Sequence, residues 1–172
     1  MRYTEIMKIN WPWSKPKDNY FVLIGFIIVA QAAGGIGSLF TFSSIPTWYA
    51  FLNKPFFSPP NWLFGPVWTL LYTFMAIAAY LVWRRVQFNK KGHAFWHVYW
   101  TQLILNTLWS ILFFGLKFTG LAFIEIIAMW YFILRTIEEG KKIDKWSAYL
   151  LAPYLAWVSF ASLLNLAIWF LN

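Results

Sequence analysis

Cysteine is absent from the sequence, which removes disulfides, thiolate metal ligands and a cysteine nucleophile at once. Acidic side chains number six and histidines two. No Ser/His/Asp or Cys/His constellation, metal cluster or phosphate-binding loop is present to support ordinary hydrolytic or transfer chemistry. Charged residues make up 12% and hydrophobic ones 60%, where ordinary globular chains carry about 25% and 45–50%. A soluble fold of this size needs far more polar surface to cover its core. The net charge of +8 would suggest nucleic acid in a soluble protein. Here the basic residues flank apolar tracts, where they set membrane topology and meet anionic head groups.

Uncharged stretches separate Asp18 from Lys54, Lys54 from Arg84, and Lys91 from Lys117, and none of the residues after Lys145 is charged. A helix crosses the hydrocarbon core in about 20 residues. These tracts predict an all-α membrane protein, one bundle of five transmembrane helices over residues 1–172, with spans at about 20–42, 61–83, 95–116, 118–137 and 146–171. Continuous apolar runs exclude barrel strands, which alternate. Pro153 predicts a kink in the fifth span, and Pro46, Pro55, Pro59 and Pro60 predict an irregular connection between the first two. The stretch before Tyr20 has no apolar core, so no removable signal peptide is expected.

The basic residues test the span count. Arg2, Lys8, Lys15 and Lys17, then Arg84, Arg85, Lys90 and Lys91, then Arg135, Lys141, Lys142 and Lys145 would fall on one side; only Lys54 and Lys117 fall on the other. The positive-inside rule then expects a cytoplasmic N-terminus and an outside C-terminus in a bacterial-type plasma membrane.

Three stretches carry a family resemblance. The first is Trp48-Tyr49, Leu52-Asn53-Lys54-Pro55-Phe56, Pro59-Pro60-Asn61-Trp62 and Gly65-Pro66-Val67-Trp68-Thr69-Leu70-Leu71-Tyr72. The second is Gln102-Leu103, Asn106-Thr107-Leu108-Trp109 and Phe113-Phe114-Gly115; the third is Ala152-Pro153-Tyr154-Leu155-Ala156-Trp157, Ala161 and Leu164-Asn165. In order and spacing, from about Gly34 to Leu166, this resembles the translocator-protein family, which includes the mitochondrial benzodiazepine receptor and the bacterial tryptophan-rich sensory proteins. The resemblance implies a five-helix bundle, often dimeric, with a pocket among the helices capped by a Pro-rich lid between helices one and two. It implies porphyrin ligands, protoporphyrin IX or haem, with no obligatory cofactor, and a role in tetrapyrrole regulation, transport or stress response. It also leaves open an enzyme that degrades porphyrin in light. Residues matching Trp68, Asn106 and Trp157 would line the pocket, with Trp48 and Tyr49 in or beside the lid. The sterol-recognition pattern of animal members is missing, because no Lys or Arg follows Lys145.

The residues add their own candidates. Gln102, Asn106 and Trp109 share one face of the third helix, and intramembrane amides serve either as interhelical bonds or as ligand donors. Trp157, Ala161 and Asn165 are spaced by four on the fifth helix; Trp68 and Tyr72 lie one turn apart on the second. A porphyrin plate needs such aromatic walls and a few orienting hydrogen bonds. Most of the aromatics are expected to face lipid or form interfacial belts. Glu125 is the one charged residue in the middle of a span. It is expected either to be protonated and hydrogen-bonded to a neighbouring helix or to serve a proton or ligand path, which leaves a proton-coupled transporter as a further alternative. The resemblance supplies no carboxylate there. His93 and His97 are one turn apart, but without a third ligand they are expected to be interfacial. Lys117 is expected to snorkel to the interface. Gly34, Gly35, Gly37 and Ser38 suit close helix packing.

Overall fold

The computed structural model describes residues 18–172; Arg2, Lys8, Lys15 and Lys17 lie outside them. Five helices follow in order: α1 Tyr20–Ser44, α2 Phe64–Val86, α3 His93–Ser110, α4 Thr119–Ile143 and α5 Lys145–Leu171. A π-helical turn, Ile111–Gly115, continues α3. No strand occurs among the described residues.

Four of the helices are long and apolar enough to cross a membrane: α1, α2 with its leading turn, α4 and α5. Five such spans were expected from the tracts. The α-helical part of α3 has only 18 residues, and Gln102 and Asn106 lower its hydropathy. Those amides point inward, since both residues are buried.

The helix ends are set by local chemistry. Asn19 caps α1, its side chain accepting from the Phe21 and Val22 amides, while its own amide donates to the Tyr80 hydroxyl at 3.1 Å. That bond ties the start of α1 to the end of α2. Asp144 ends α4 and caps α5; its carboxylate accepts from the Trp146 amide at 3.0 Å and pairs with Arg85 at 3.3 Å. One half-buried ion pair thus joins three helix ends. The apolar tract predicts an end to the fourth helix near residue 137, yet α4 runs six residues further, to Ile143. Arg135 pairs with Glu138 and Glu139, and Lys142 with Glu139; such i,i+3 and i,i+4 pairs extend a helix past its apolar tract. Helix α5 continues through Pro153, which lies on an exposed face.

The irregular connection contains two single 3₁₀ turns, Tyr49–Phe51 and Asn61–Leu63. Two consecutive i→i+3 bonds make each (Phe51 N to Trp48 O and Leu52 N to Tyr49 O; Leu63 N to Pro60 O and Phe64 N to Asn61 O), so both fit between prolines that forbid longer ladders. Tyr49 packs on Phe113 and Phe114. Lys54 Nζ donates to the carbonyls of Tyr49, Ala50 and Leu52. Asn53 and Asn172 clasp each other, with Asn53 N to Asn172 Oδ1 at 2.9 Å and Asn172 Nδ2 to Asn53 O at 3.1 Å.

Neighbour contacts close the helices into a ring in the order α1, α2, α5, α4, α3. Helix α1 is the loosest member, burying only Phe26, Ala30, Gly37 and Ser44. Its outward face, like those of the other helices, is apolar: Phe21, Leu39, Leu70, Ile124 and Phe170 are all exposed. Where α1 meets the bundle the approach is close. A Cβ on Gly34 would lie 2.3 Å from the Tyr72 ring, whereas one on Gly25 would meet nothing within 4 Å. Gly34→Ala is therefore expected to destabilise the protein in detergent by about 1–3 kcal/mol through overpacking. Gly25→Ala is expected to stabilise it by up to about 1 kcal/mol through helix propensity; thermal unfolding of the two variants checks both.

Candidate functional site

A chain of hydrogen bonds crosses the bundle interior. The Tyr72 hydroxyl on α2 donates to Asn106 Oδ1 on α3. Asn106 Nδ2 donates to the Tyr154 hydroxyl on α5 at 2.7 Å, and that hydroxyl donates to Gln102 Oε1 at 2.9 Å. All four side chains are buried, Gln102 and Tyr154 completely. One turn further along α3, Trp109 Nε1 donates to Asn165 Oδ1 at 3.0 Å, and Asn165 Nδ2 donates to the Thr119 carbonyl at 2.8 Å. The shared face of Gln102, Asn106 and Trp109 is thus directed inward, and every one of them bonds to another helix.

A cavity of about 340 Å³ lies beside this chain, between α1, α2 and α3. Trp68, Tyr72, Asn106 and Trp109 form part of its wall. The remainder includes side chains that the sequence did not single out: Gln31, Thr41, Thr69 and Ser110. Gly34, Gly35 and Ser38, which the sequence assigns to helix packing, also border it; their small size leaves the room. Among the described residues no charged side chain lines it. Gln31 bounds it on one side, donating through Nε2 to the Thr69 carbonyl at 3.0 Å and to Thr73 Oγ1 at 3.1 Å.

A second, far smaller space of about 20 Å³ lies between α2, α3 and α5 under the 3₁₀ turn at Tyr49. Trp157, Ala161 and Asn165 border it with Tyr49, and Trp68, Trp109, Phe64 and Phe114 form a wall common to both spaces. The larger opening is therefore on the α1 side of this aromatic partition. The space among helices two, three and five has room for about one water. Trp157 on its wall has a buried indole N–H with no hydrogen-bond partner among the described residues. Burial raises the Tyr49 hydroxyl above the ordinary phenol range, so it keeps its proton. Trp48 borders neither space; it stands edge-on to Phe113 at 5.6 Å, and Gln102 belongs to the hydrogen-bond chain instead.

Glu125 is buried on α4, and neither carboxyl oxygen has a hydrogen-bond partner among the described residues. The bond to a neighbouring helix that the sequence suggests is not formed. His93 and His97 are exposed, and no group of three or more metal-binding side chains occurs among the described residues. Lys117 is exposed at a left-handed residue, φ 60°, with its ammonium 6.0 Å from the Trp48 ring centre.

Apolar outer faces, a polar chain sealed inside and an uncharged aromatic cavity define an integral membrane helical bundle with an internal ligand-sized space. The profile of the TspO/MBR family matches residues 26–170. The tryptophan-rich protein TspO of Archaeoglobus fulgidus is 44% identical over 160 residues, covering 90% of this chain and 99% of that protein. The human translocator protein is 35% identical over 147 residues, covering 85% and 87%. The tryptophan-rich sensory protein of Cereibacter sphaeroides is 40% identical over 118 residues, covering 69% and 72%. The chain belongs to the TspO/MBR family.

Tyr154→Phe strands the Asn106 donor and the Gln102 acceptor together. It is expected to cost about 1–2 kcal/mol, since interhelical bonds in membranes are modest but orphaned polar groups are not cheap. Its effect should be non-additive with Gln102→Leu, because the two share one bond; unfolding of the single and double variants in detergent measures this.

Proposed function

We propose that the protein is a membrane receptor or transporter-like protein that binds porphyrins and related flat hydrophobic ligands inside the bundle. The observation that carries this reading is the uncharged cavity of about 340 Å³, walled by Trp68 and Trp109 and edged by the Tyr72 and Asn106 polar groups. Its volume falls within the range of about 300–1,000 Å³ typical of small-molecule sites. Aromatic faces match a macrocycle, and a few fixed polar groups orient it. Yielding of the Trp68–Trp109 partition would join the smaller space to the larger and bring Trp157, Ala161 and Asn165 to the ligand. The connection over residues 45–63, clasped to α5 by Asn53 and Asn172, then serves as the lid, with Trp48 and Tyr49 on its underside.

The same reading has all five helices in the bilayer. The π-helical turn lengthens α3 by five residues, and its amides are turned away from lipid. Arg84, Arg85, Lys90, Lys91, Arg135, Lys141, Lys142 and Lys145 gather at the end held by the Arg85–Asp144 pair, and Lys54 and Lys117 lie at the other. By the positive-inside rule the first end is cytoplasmic.

Protoporphyrin IX is expected to quench the tryptophan fluorescence of the purified protein. Replacing both Trp68 and Trp157 by Phe is expected to weaken binding about ten-fold or more, on the scale of two aromatic contacts. An unchanged titration curve for the double variant would rule the pocket out.

A second reading rests on Glu125. A buried carboxyl with two unpartnered oxygens in a span is costly and suits proton exchange coupled to transport. Vesicle uptake driven by a pH gradient and lost in Glu125→Gln would support it. Uptake indifferent to both would remove it.

A further inference from the structure

The cavity has a direction. Its deep wall, Tyr72, Asn106, Trp109 and Phe114, is buried, whereas Gly35, Phe42, Trp62, Gly65 and Thr69 on its rim are exposed. These exposed residues belong to α1, to the 3₁₀ turn that leads α2, and to the first turns of α2. They open between faces that carry Leu39 and Leu70, which are exposed and apolar. The inner end of this cleft is closed by the Gln31 bonds to Thr69 and Thr73 and by the contact of Gly34 with Tyr72. At its outer part the chain that joins the two helices contributes Ile45, Asn61 and Trp62 to the lining. That chain leaves α1 with Ser44 bonded to the Phe114 carbonyl at 2.7 Å, packs Trp48 on Phe113, and clasps Asn172 of α5 before it returns to α2. The aqueous end is thereby roofed while the side is left ajar.

We propose that this cavity is loaded sideways from the bilayer, through the α1–α2 cleft flanked by Gly35 and Gly65. It takes the uncharged edge of a planar macrocycle, while any carboxylates stay at the mouth. The ligand class rests on the porphyrin reading above; the route does not. Hydroxyl and amide groups in the lining suit a neutral edge, and burying a carboxylate there without a cation would be costly. Trp62 at the rim has the character of an interfacial anchor, which sets the mouth near head-group level.

The absence of cysteine gives a clean test of the route in the full chain reconstituted into vesicles. Ser110→Cys places a single thiol on the inner wall. Gly35→Phe and Gly65→Phe block the rim, and an added Cβ at either position meets nothing within 4 Å, so the bulk enters open space. An uncharged, bilayer-partitioning maleimide is expected to label Ser110→Cys at least about ten-fold faster than a charged aqueous one, with either rim variant slowing the labelling about as much, as a steric gate on association requires. Equal reaction with the charged reagent, or indifference to both rim variants, would overturn the sideways route. Protoporphyrin dimethyl ester and the diacid, delivered in donor vesicles and followed by tryptophan quenching, then test the ligand. The ester should load at least as fast as the diacid, both should slow with the rim blocked, and Asn53→Ala, which opens the roof, should change the rate by less than about two-fold. A strong preference for the diacid overturns the uncharged-edge assignment. No quenching by either compound, with thiol labelling as expected, removes the porphyrin reading and leaves the route standing.

Discussion

Within a bilayer no water is available to satisfy a polar group, so each must find its partner inside the protein. The run of donors from Tyr72 through Asn106 and Tyr154 to Gln102 answers that constraint and joins α2, α3 and α5 in doing so. Without it the buried amides of α3 would face lipid or stand unpaired. The bond to Asn106 also fixes the Tyr72 ring, and the separate bond to Asn165 fixes the Trp109 ring, and both rings shape the cavity wall. Packing and site therefore depend on the same interhelical bonds.

The two ends of the bundle differ in how firmly they are held. At one end Asp144 ends one helix, begins the next and pairs with Arg85 of a third. Charged side chains hold that end. At the other, Lys54 saturates loop carbonyls and the Asn53–Asn172 clasp holds the loop to α5. Helix α1 is attached chiefly along its first two-thirds, by Asn19, Gln31 and Gly34. Its last turns lean on the bundle through Ser44 and the contact of Gly37 with Ser110. Free volume collects where attachment is weakest, beside the final turns of α1 and the first turns of α2.

Much of the fold was legible in the residues. Apolar tracts located the five described helices, four of which are long and apolar enough to cross a membrane, because a span demands length and composition above all else. Helix ends were less visible: α4 outran its apolar tract, since ion pairs on one face prolong a helix that hydropathy alone would stop. The inward direction of Gln102, Asn106 and Trp109 followed from their spacing. Their partners did not, for spacing on one helix says nothing of which hydroxyl or amide another presents. Gln31, Thr69 and Ser110 carried no signal of their own; single hydroxyls and amides beside glycines look like packing until a neighbouring helix draws back.

The sequence by itself determined that the chain lies in a membrane, that it folds as helices and that it belongs to this family. Those properties depend on local composition and on residue order. The tertiary structure alone decided that the larger space opens between α1, α2 and α3, that Trp68 and Trp109 wall it off from α5, and that Glu125 is buried without a partner. Each of these depends on how far apart two helices sit, a distance set by the sum of side-chain volumes across an interface and not by any one strand of sequence.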